Sequence, residues 1–467
     1  MVIGTLADGI TRGIDSVTST LTSPFSDPVI RLGVTGLSRA GKTVFITSLV
    51  ANLMDRARMP GLIATPRITA AYLQPQPDDT LPRFDFENHL AELTSDTPDW
   101  PAGTRTISEL RLSLRVQPSG LLAGFQGLRT VHLDIVDYPG EWLLDLSLLD
   151  KDFATWSAET LARLDIRAQA EHFKTILAAT DASQNLSEPT AQRLAEAFTG
   201  YLNTARADGF SDCTPGRFLL PGDLAGSPVL TFAPLPAGDS PRRSLYREFE
   251  RRYDSYKRNI VKPFFRDHFA KIDRQIVLVD ALGAIHAGPP AVEDLRSAMA
   301  DILSAFRLGK NAFLTSLFRG KRVERILFAA TKADHLHHAQ HPQLTAIIEG
   351  LARDARDRAD FAGAKTGAMA VAALRATTEE TREHNGETLD LVRGTLTNGK
   401  RAAFYPGALP TDPSKLLGPA RAGAETWLDA DYEVMTFAPA KIDLKPGEGP
   451  PHIRLDKAAQ FLIGDLL

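Results

Sequence analysis

The sequence is poor in cysteine: Cys213 is the only one in 467 residues. A single thiol excludes an internal disulfide framework and fits a reducing compartment, so a cytoplasmic location is expected. No uninterrupted apolar run approaches the roughly 18 residues that a membrane span requires. The start of the chain has neither the basic end nor the apolar run of a signal peptide. Instead Ile3, Leu6, Ile10, Ile14, Val17 and Leu21 share one helical face, which predicts an N-terminal amphipathic helix within residues 1–28 that packs on the body of the protein. Arg12 is the sole cation on its polar side, so any membrane contact is expected to be peripheral at most. A formal net charge of -4 lacks the basic surplus of a nucleic-acid binder, and no nucleic-acid partner is expected. The length exceeds that of one hydrophobic core and points to about two or three domains.

What the chain does have is a phosphate loop in the right setting. Gly36-Leu37-Ser38-Arg39-Ala40-Gly41-Lys42-Thr43 matches GxxxxGK[ST], follows the strand-like Ile30–Thr35 and precedes apolar residues at helical spacing from Val44 to Met54. A strand feeding a glycine-rich turn and a helix N-terminus aims backbone N–H groups at one point. Phosphate binding is therefore assigned to Gly36, Ser38, Arg39, Ala40, Gly41, Lys42, Thr43 and Val44. Lys42 would neutralise phosphate charge, and the Thr43 hydroxyl would hold Mg²⁺.

Two later segments extend the site. The apolar Arg325–Ala330 ends in Thr331-Lys332-Ala333-Asp334, similar to the [NT]KxD base-recognition motif of GTPases. A carboxylate at Asp334 can accept from the ring N–H and the exocyclic NH₂ of guanine together; adenine offers no such pair. Val131–Val136 leads into Asp137-Tyr138-Pro139-Gly140, a DxxG pattern in which Asp137 would order the shell of Mg²⁺ and the Gly140 N–H would meet the γ-phosphate. Glu141 stands where many GTPases place the glutamine that orients the attacking water, and Thr106 (with Thr104 close behind) is the candidate second metal ligand. Ala373 stands where a backbone N–H would meet the guanine carbonyl. Lys42, Glu141 and Thr106 form the candidate catalytic set, and GTP or GDP with Mg²⁺ the expected ligands.

These motifs, with Trp100-Pro101 to Arg115, Thr331 to His338 and Phe404-Tyr405-Pro406-Gly407, resemble the YcjX family of bacterial stress-associated GTPases, whose physiological role is unknown. The resemblance implies an α/β P-loop NTPase fold with a mostly parallel sheet, an added helical region and a link to envelope stress. The GTPase order predicts a core of 29–142 and 274–385, a helical insert at 143–273 and a small C-terminal α/β appendage at 386–467. Within it, Ser108–Val116 alternates strictly and should form a hairpin with the strand ending at Asp137, while Gln275–Leu282 and Met369–Ala373 read as strands and Ala291–Phe306 as a helix. Pro60–Gly103 reads as a long proline-rich loop with one helix at Phe84–Leu93, and strands are expected near Tyr432–Phe437 and His452–Leu455. Helices are expected at Lys151–Ala182, Glu188–Arg206 and Ser244–Ile272, the last with its charges paired along a solvated face; the insert is the expected dock for a protein partner. His335, His337, His338 and His341 have no evident carboxylate or cysteine to complete a metal site and are given a structural or surface role. An ATPase in which Thr-Lys-x-Asp is coincidental, and a scaffold that binds nucleotide without turnover, stay open as alternatives.

Overall fold

The computed structural model describes residues 27–467 apart from 38, 104–105, 120–126, 239, 305–322, 362, 385 and 428–434. The expected N-terminal helix, Ser38 and Thr104 thus lie outside the described residues. Seven strands build the main sheet: β1 (Val29–Gly36), β2 (Ile68–Gln74), β3 (Ser108–Val116), β4 (Arg129–Asp137), β5 (Arg274–Val279), β6 (Arg325–Ala330) and β7 (Lys365–Ala370). Their spatial order is β2-β3-β4-β1-β5-β6-β7. From β4 to β7 all neighbours are parallel, and β3 alone runs antiparallel to the strands beside it. This is the expected α/β arrangement with a mostly parallel sheet.

Both faces of the sheet are covered, which explains why its central strands read as continuous apolar runs. Ile276 and Leu278 of β5 and Leu327 and Ala329 of β6 face one layer, formed with helix α1 (Lys42–Met54) and the helix Leu455–Ile463. Their alternates Val277, Val279, Ile326 and Phe328 face the other layer, which is continuous with the helical region. In β3 the strict alternation buries Leu110, Leu112, Leu114 and Val116 completely against α1's layer. Each such side chain contributes about 1.5–3 kcal/mol by leaving water. On the opposite face Arg111 grips the fully buried Asp134 of β4 through two hydrogen bonds of 2.6 and 2.8 Å. The expected antiparallel pairing of β3 with β4 is thus formed.

Several expectations shift. Pro60–Gly103 contains an edge strand, β2, as well as its helix at Phe86–Thr94; the weak pattern Ile-Thr-Ala-Ala-Tyr-Leu-Gln becomes a strand only by pairing with β3. The expected strand Gln275–Leu282 stops at Val279, because the Asp280 carboxylate accepts the Gly283 N–H at 3.0 Å and starts the helix Ala281–Ala287. The helix expected from Ala291 begins at Pro289. The last core strand ends at Ala370, since Ala372 turns away to bridge Ile453 in the antiparallel sense. The strand expected near His452 is a single bridge, Ala372 to Ile453; of the one expected near Tyr432–Phe437, residues 432–434 lie outside the described residues, and Phe437 bridges Leu396. A separate antiparallel sheet forms instead from β8 (Thr378–His384), β9 (Glu387–Thr395) and β10 (Arg401–Phe404).

Between β4 and β5 the chain forms helices Phe153–Leu164, Glu171–Ala178, Glu188–Ala207 and Leu245–Tyr256. The long helix expected over Lys151–Ala182 is broken near Arg167, which is buried and donates to the Tyr201 hydroxyl at 2.9 Å and to Asp294. An aromatic core holds the region together: Trp156 stacks on Tyr253 with ring centroids 5.1 Å apart and meets Phe232 edge-on at 5.6 Å. The charges of Leu245–Tyr256 pair as expected, Arg247 with Glu250 and Arg251 with Glu248, while Arg252 turns inward to Glu188.

Candidate nucleotide site

The phosphate loop joins the end of β1 to the start of α1, so its amides converge where the helix begins. Gly41 occupies the N-cap position with φ 75°, a left-handed conformation that glycine adopts without strain. Arg39 is also left-handed, with φ 62°. The Lys42 ammonium reaches back across the loop to the Gly36 carbonyl at 3.5 Å. Thr43 is buried, and its hydroxyl lies 3.5 Å from the Ala102 carbonyl, in the segment before β3. Ala40 is buried with its N–H on the Leu37 carbonyl, and Val44 follows in the first turn of α1. Gly140 presses on the loop: a Cβ there would fall 2.0 Å from the Gly36 carbonyl oxygen. No other residue fits that position.

Loop and base motif open into one cavity of about 1210 Å³, bounded at one end by Arg39–Thr43 and at the other by Thr331, Lys332, Asp334 and Ala373. Thr331 is buried at the end of β6, its N–H on the Val279 carbonyl. Asp334 is buried; its carboxylate accepts the Ala376 N–H at 2.8 Å, and its carbonyl accepts the Thr377 hydroxyl. Lys332 is left-handed and pairs with Asp280 at the end of β5, so its ammonium is held there and not against the phosphate loop. The His341 ring lies 2.8 Å from the Ala333 carbonyl and braces the turn, in keeping with a structural role. Burial lowers the pKa of His335, and its Nδ1 is buried with no hydrogen-bond partner among the described residues. His335 also lines the cavity.

Asp137 is buried at the end of β4 opposite Val34 of β1, a hard oxygen donor of the kind Mg²⁺ prefers, and the Thr43 hydroxyl is another. Neither Asp137 nor Thr106 lines the cavity, and Thr106 is exposed just before β3. Glu141 is buried on the cavity wall and forms an ion pair of 2.7 Å with Arg206, from the end of the helix Glu188–Ala207.

Reading by motif misses several wall residues. Arg206 is one of two arginines on its helix, with Arg193, and nothing in its spacing marks it. Asp280 has a readable signal, an acidic residue where a buried strand meets Ala-Leu-Gly. Trp100 and Phe437 come from opposite parts of the chain: the Trp100 indole donates to the Phe437 carbonyl at 2.8 Å, and the Phe437 ring meets His335 edge-on at 5.1 Å.

Behind Glu141 the chain runs straight into the helical region. Gly140 to Leu148 are all buried, and the Arg217 guanidinium lies 3.2 Å over the Trp142 ring. Burial pushes the Asp145 carboxyl up to about 7, against the opposing pull of hydrogen bonds from the Tyr256 hydroxyl and, at 2.7 Å, the Gly216 N–H.

A parallel sheet with a phosphate loop at the head of its first helix, and a second strand-end motif across one cavity, defines a P-loop protein of the α/β class. Comparison with known proteins narrows this. A family profile described as the YcjX-like family, DUF463, matches residues 30–467. Ras-like GTPase YcjX of Escherichia coli strain K12 is 37% identical over 460 residues, covering 94% of this chain and 96% of that protein. Ras-like GTPase YcjX of Shewanella oneidensis strain MR-1 is 35% identical over 471 residues, covering 95% of each. The chain belongs to the YcjX-like family.

Proposed function

We propose that this protein is a Mg²⁺-dependent GTP-binding switch that hydrolyses GTP slowly to GDP and phosphate. The supporting observation is the single cavity with the phosphate loop at one end and the buried Asp334 carboxylate at the other. The names of its relatives agree with a GTPase. Lys42 and the loop amides bind the phosphates, and Asp334 accepts from the guanine edge. Ala373 offers its N–H to the guanine carbonyl. Thr43, joined by Thr106 when the γ-phosphate is present, would hold Mg²⁺ and Asp137 would order its shell; the ion would supply positive charge against the phosphates. Glu141 accepts a hydrogen bond from the attacking water, a role in which its negative charge is unfavourable beside the phosphoryl group.

Arg206 answers that charge. It already lies against Glu141, and a guanidinium delivered to a transferring phosphoryl group contributes roughly 10³–10⁵ in rate. Turnover below about 1 s⁻¹ is expected because Arg206 leaves Glu141 only a small part of the time and hydrolysis runs through that freed state, with faster turnover once movement of the helical region or a protein partner docked on it holds the guanidinium free. The site of action proposed is the cytoplasm.

Single-turnover hydrolysis, with competition among GTP, GDP and ATP, tests this reading. GTP and GDP should displace each other and ATP should not, and Arg206→Ala should slow phosphate release at least a hundredfold with GTP affinity unchanged. Equal competition by ATP removes the guanine assignment. Unchanged hydrolysis in both Arg206→Ala and Arg206→Lys removes the arginine.

A further inference from the structure

The two histidines after the base motif meet a carboxylate that sequence alone does not place beside them. Glu379, the second residue of β8, brings its Oε2 to 2.6 Å from His338 Nδ1 and 3.7 Å from His337 Nε2. On the far side of the His337 ring, Nδ1 lies 3.6 Å from the Asp390 carboxylate of β9. We propose that His337, His338 and Glu379 bind a divalent transition metal ion of the zinc class, with Asp390 orienting His337.

The donor atoms suit such an ion in type and spacing. Two imidazole nitrogens and a carboxylate oxygen match Zn²⁺ and its neighbours, whereas Mg²⁺ and Ca²⁺ favour oxygen alone. One donor atom from each of the three residues falls within 4.8 Å of the others. A tetrahedral ion with bonds of about 2.1 Å needs its ligands about 3.4 Å apart, so closure takes side-chain adjustments on the order of 1 Å. The Asp390 contact is the outer-shell arrangement typical of ligating histidines: a carboxylate on one ring nitrogen fixes the proton there and leaves the other nitrogen's lone pair for metal. The Ala339 N–H also lies near His337 Nδ1, at 3.4 Å, a long contact that gives way when Nδ1 carries its proton toward Asp390. Thr381 holds Asp390 in place through a 3.1 Å hydrogen bond.

Glu379 divides its two oxygens between different partners. Arg375 sits 3.4 Å from the other oxygen, Oε1, which leaves Oε2 to the imidazoles.

The position gives the ion a purpose. His337 follows Asp334 by three residues, and Glu379 follows Ala376 and Thr377, the two residues that hold Asp334. A metal bound here staples the base-reading turn to the small sheet and fixes the Asp334 carboxylate. That consequence rests on the guanine reading above; metal binding itself does not.

The test uses the full chain stripped with chelator and free of nucleotide, titrated with Zn²⁺ against a fluorescent indicator and with Co²⁺ by visible absorbance. One Zn²⁺ per chain is expected, weakened at least a hundredfold in the His337→Ala/His338→Ala double variant and about tenfold in Asp390→Asn. Co²⁺ should give the intense bands of a four- or five-coordinate site. Equal Zn²⁺ affinity in the wild type and the double variant, or no wild-type binding below 100 μM (about a weak surface site), overturns the site. Should the double variant melt at lower temperature in chelator, Glu379→Gln supplies the same comparison. With Zn²⁺ bound, affinity for a GTP analogue should rise severalfold in the wild type alone. Zn²⁺ binding without that rise, in a chain that binds the analogue, overturns the coupling. A chain that takes Zn²⁺ but no guanine nucleotide sustains the metal site and overturns the functional reading instead.

Discussion

The two ends of the cavity are built in opposite ways. The phosphate end is built around one stretch, Arg39 to Val44, with Gly140 packed on Gly36 behind it. The base end is assembled from segments far apart in the chain: Asp334 and His335 after β6, the backbone of Ala376, Phe437, and Trp100 from before β3. A contiguous loop fixes its own geometry, so its failures are local and abrupt. A wall gathered from remote segments depends on the packing of each, so its failures should be graded and reach it from a distance. In the first case the binding energy is written into a motif; in the second, into the tertiary fold.

The sharpest way to break this contrast is at its phosphate end. Lys42→Ala removes the ammonium that spans the loop to Gly36, and GTP and GDP affinity should both fall by about 10²–10³-fold, read by calorimetry. A loss below tenfold would mean that the loop does not dominate. Asp334→Asn comes next. Two hydrogen bonds to a charged group are weakened, each of about 1.5–3 kcal/mol, so GTP should bind on the order of 10²-fold more weakly while xanthosine nucleotides gain. Unchanged GTP affinity with no gain for xanthosine nucleotides would take Asp334 out of the site.

Phe437→Ala sharpens the claim about remote walls. It removes the ring against His335 but leaves the loop untouched. GTP affinity should fall about three- to tenfold, with inhibition by inorganic pyrophosphate unchanged; a parallel loss for pyrophosphate would show that the two ends are not separable. The smallest effect on binding is expected from Asp145→Asn, under threefold. Its signature is in stability. The Asp145 carboxyl is raised from 3.8 to about 7 in the folded protein, so between those values the folded state holds a proton that the unfolded state has lost. Stability must therefore fall as pH rises across that window and level off above it. Thermal melting from pH 5 to 8 should show this slope in the wild type and a flatter one in Asp145→Asn; equal slopes would show that Asp145 does not titrate there.

The difference between the ends also explains what the sequence made legible. The α/β class, the β3–β4 hairpin and the phosphate loop all follow from local pattern: alternation in Ser108–Val116, glycine and lysine spacing after β1. Asp334 is legible for the same reason, at the end of an apolar strand. Its partners are not, because Ala376 contributes a backbone N–H that any residue possesses, and Thr377 a hydroxyl with no spacing rule to mark it. Arg206 belongs to a helix read correctly as a helix, yet its pairing with Glu141 depends on how that helix lies over the cavity. The small β8–β10 sheet had one signal in Asn385-Gly386, a dipeptide typical of tight hairpins, but the run before it, Thr378–His384, holds no apolar residue to alternate. Pairing of His337 and His338 with Glu379 crosses from one turn to another sheet, which periodicity does not report.

The burial of Gly140 to Leu148 sets a clock. Surface loops rearrange in nanoseconds to microseconds, but this segment is clamped between the Gly36 carbonyl and an aromatic interior. It cannot move alone; displacing it means shifting Trp142, Arg217 and the helices behind them as one body. Such collective motions take microseconds to milliseconds. On the switch reading proposed above, a change at the loop is therefore delivered late and all at once, and any event briefer than that delay is filtered out.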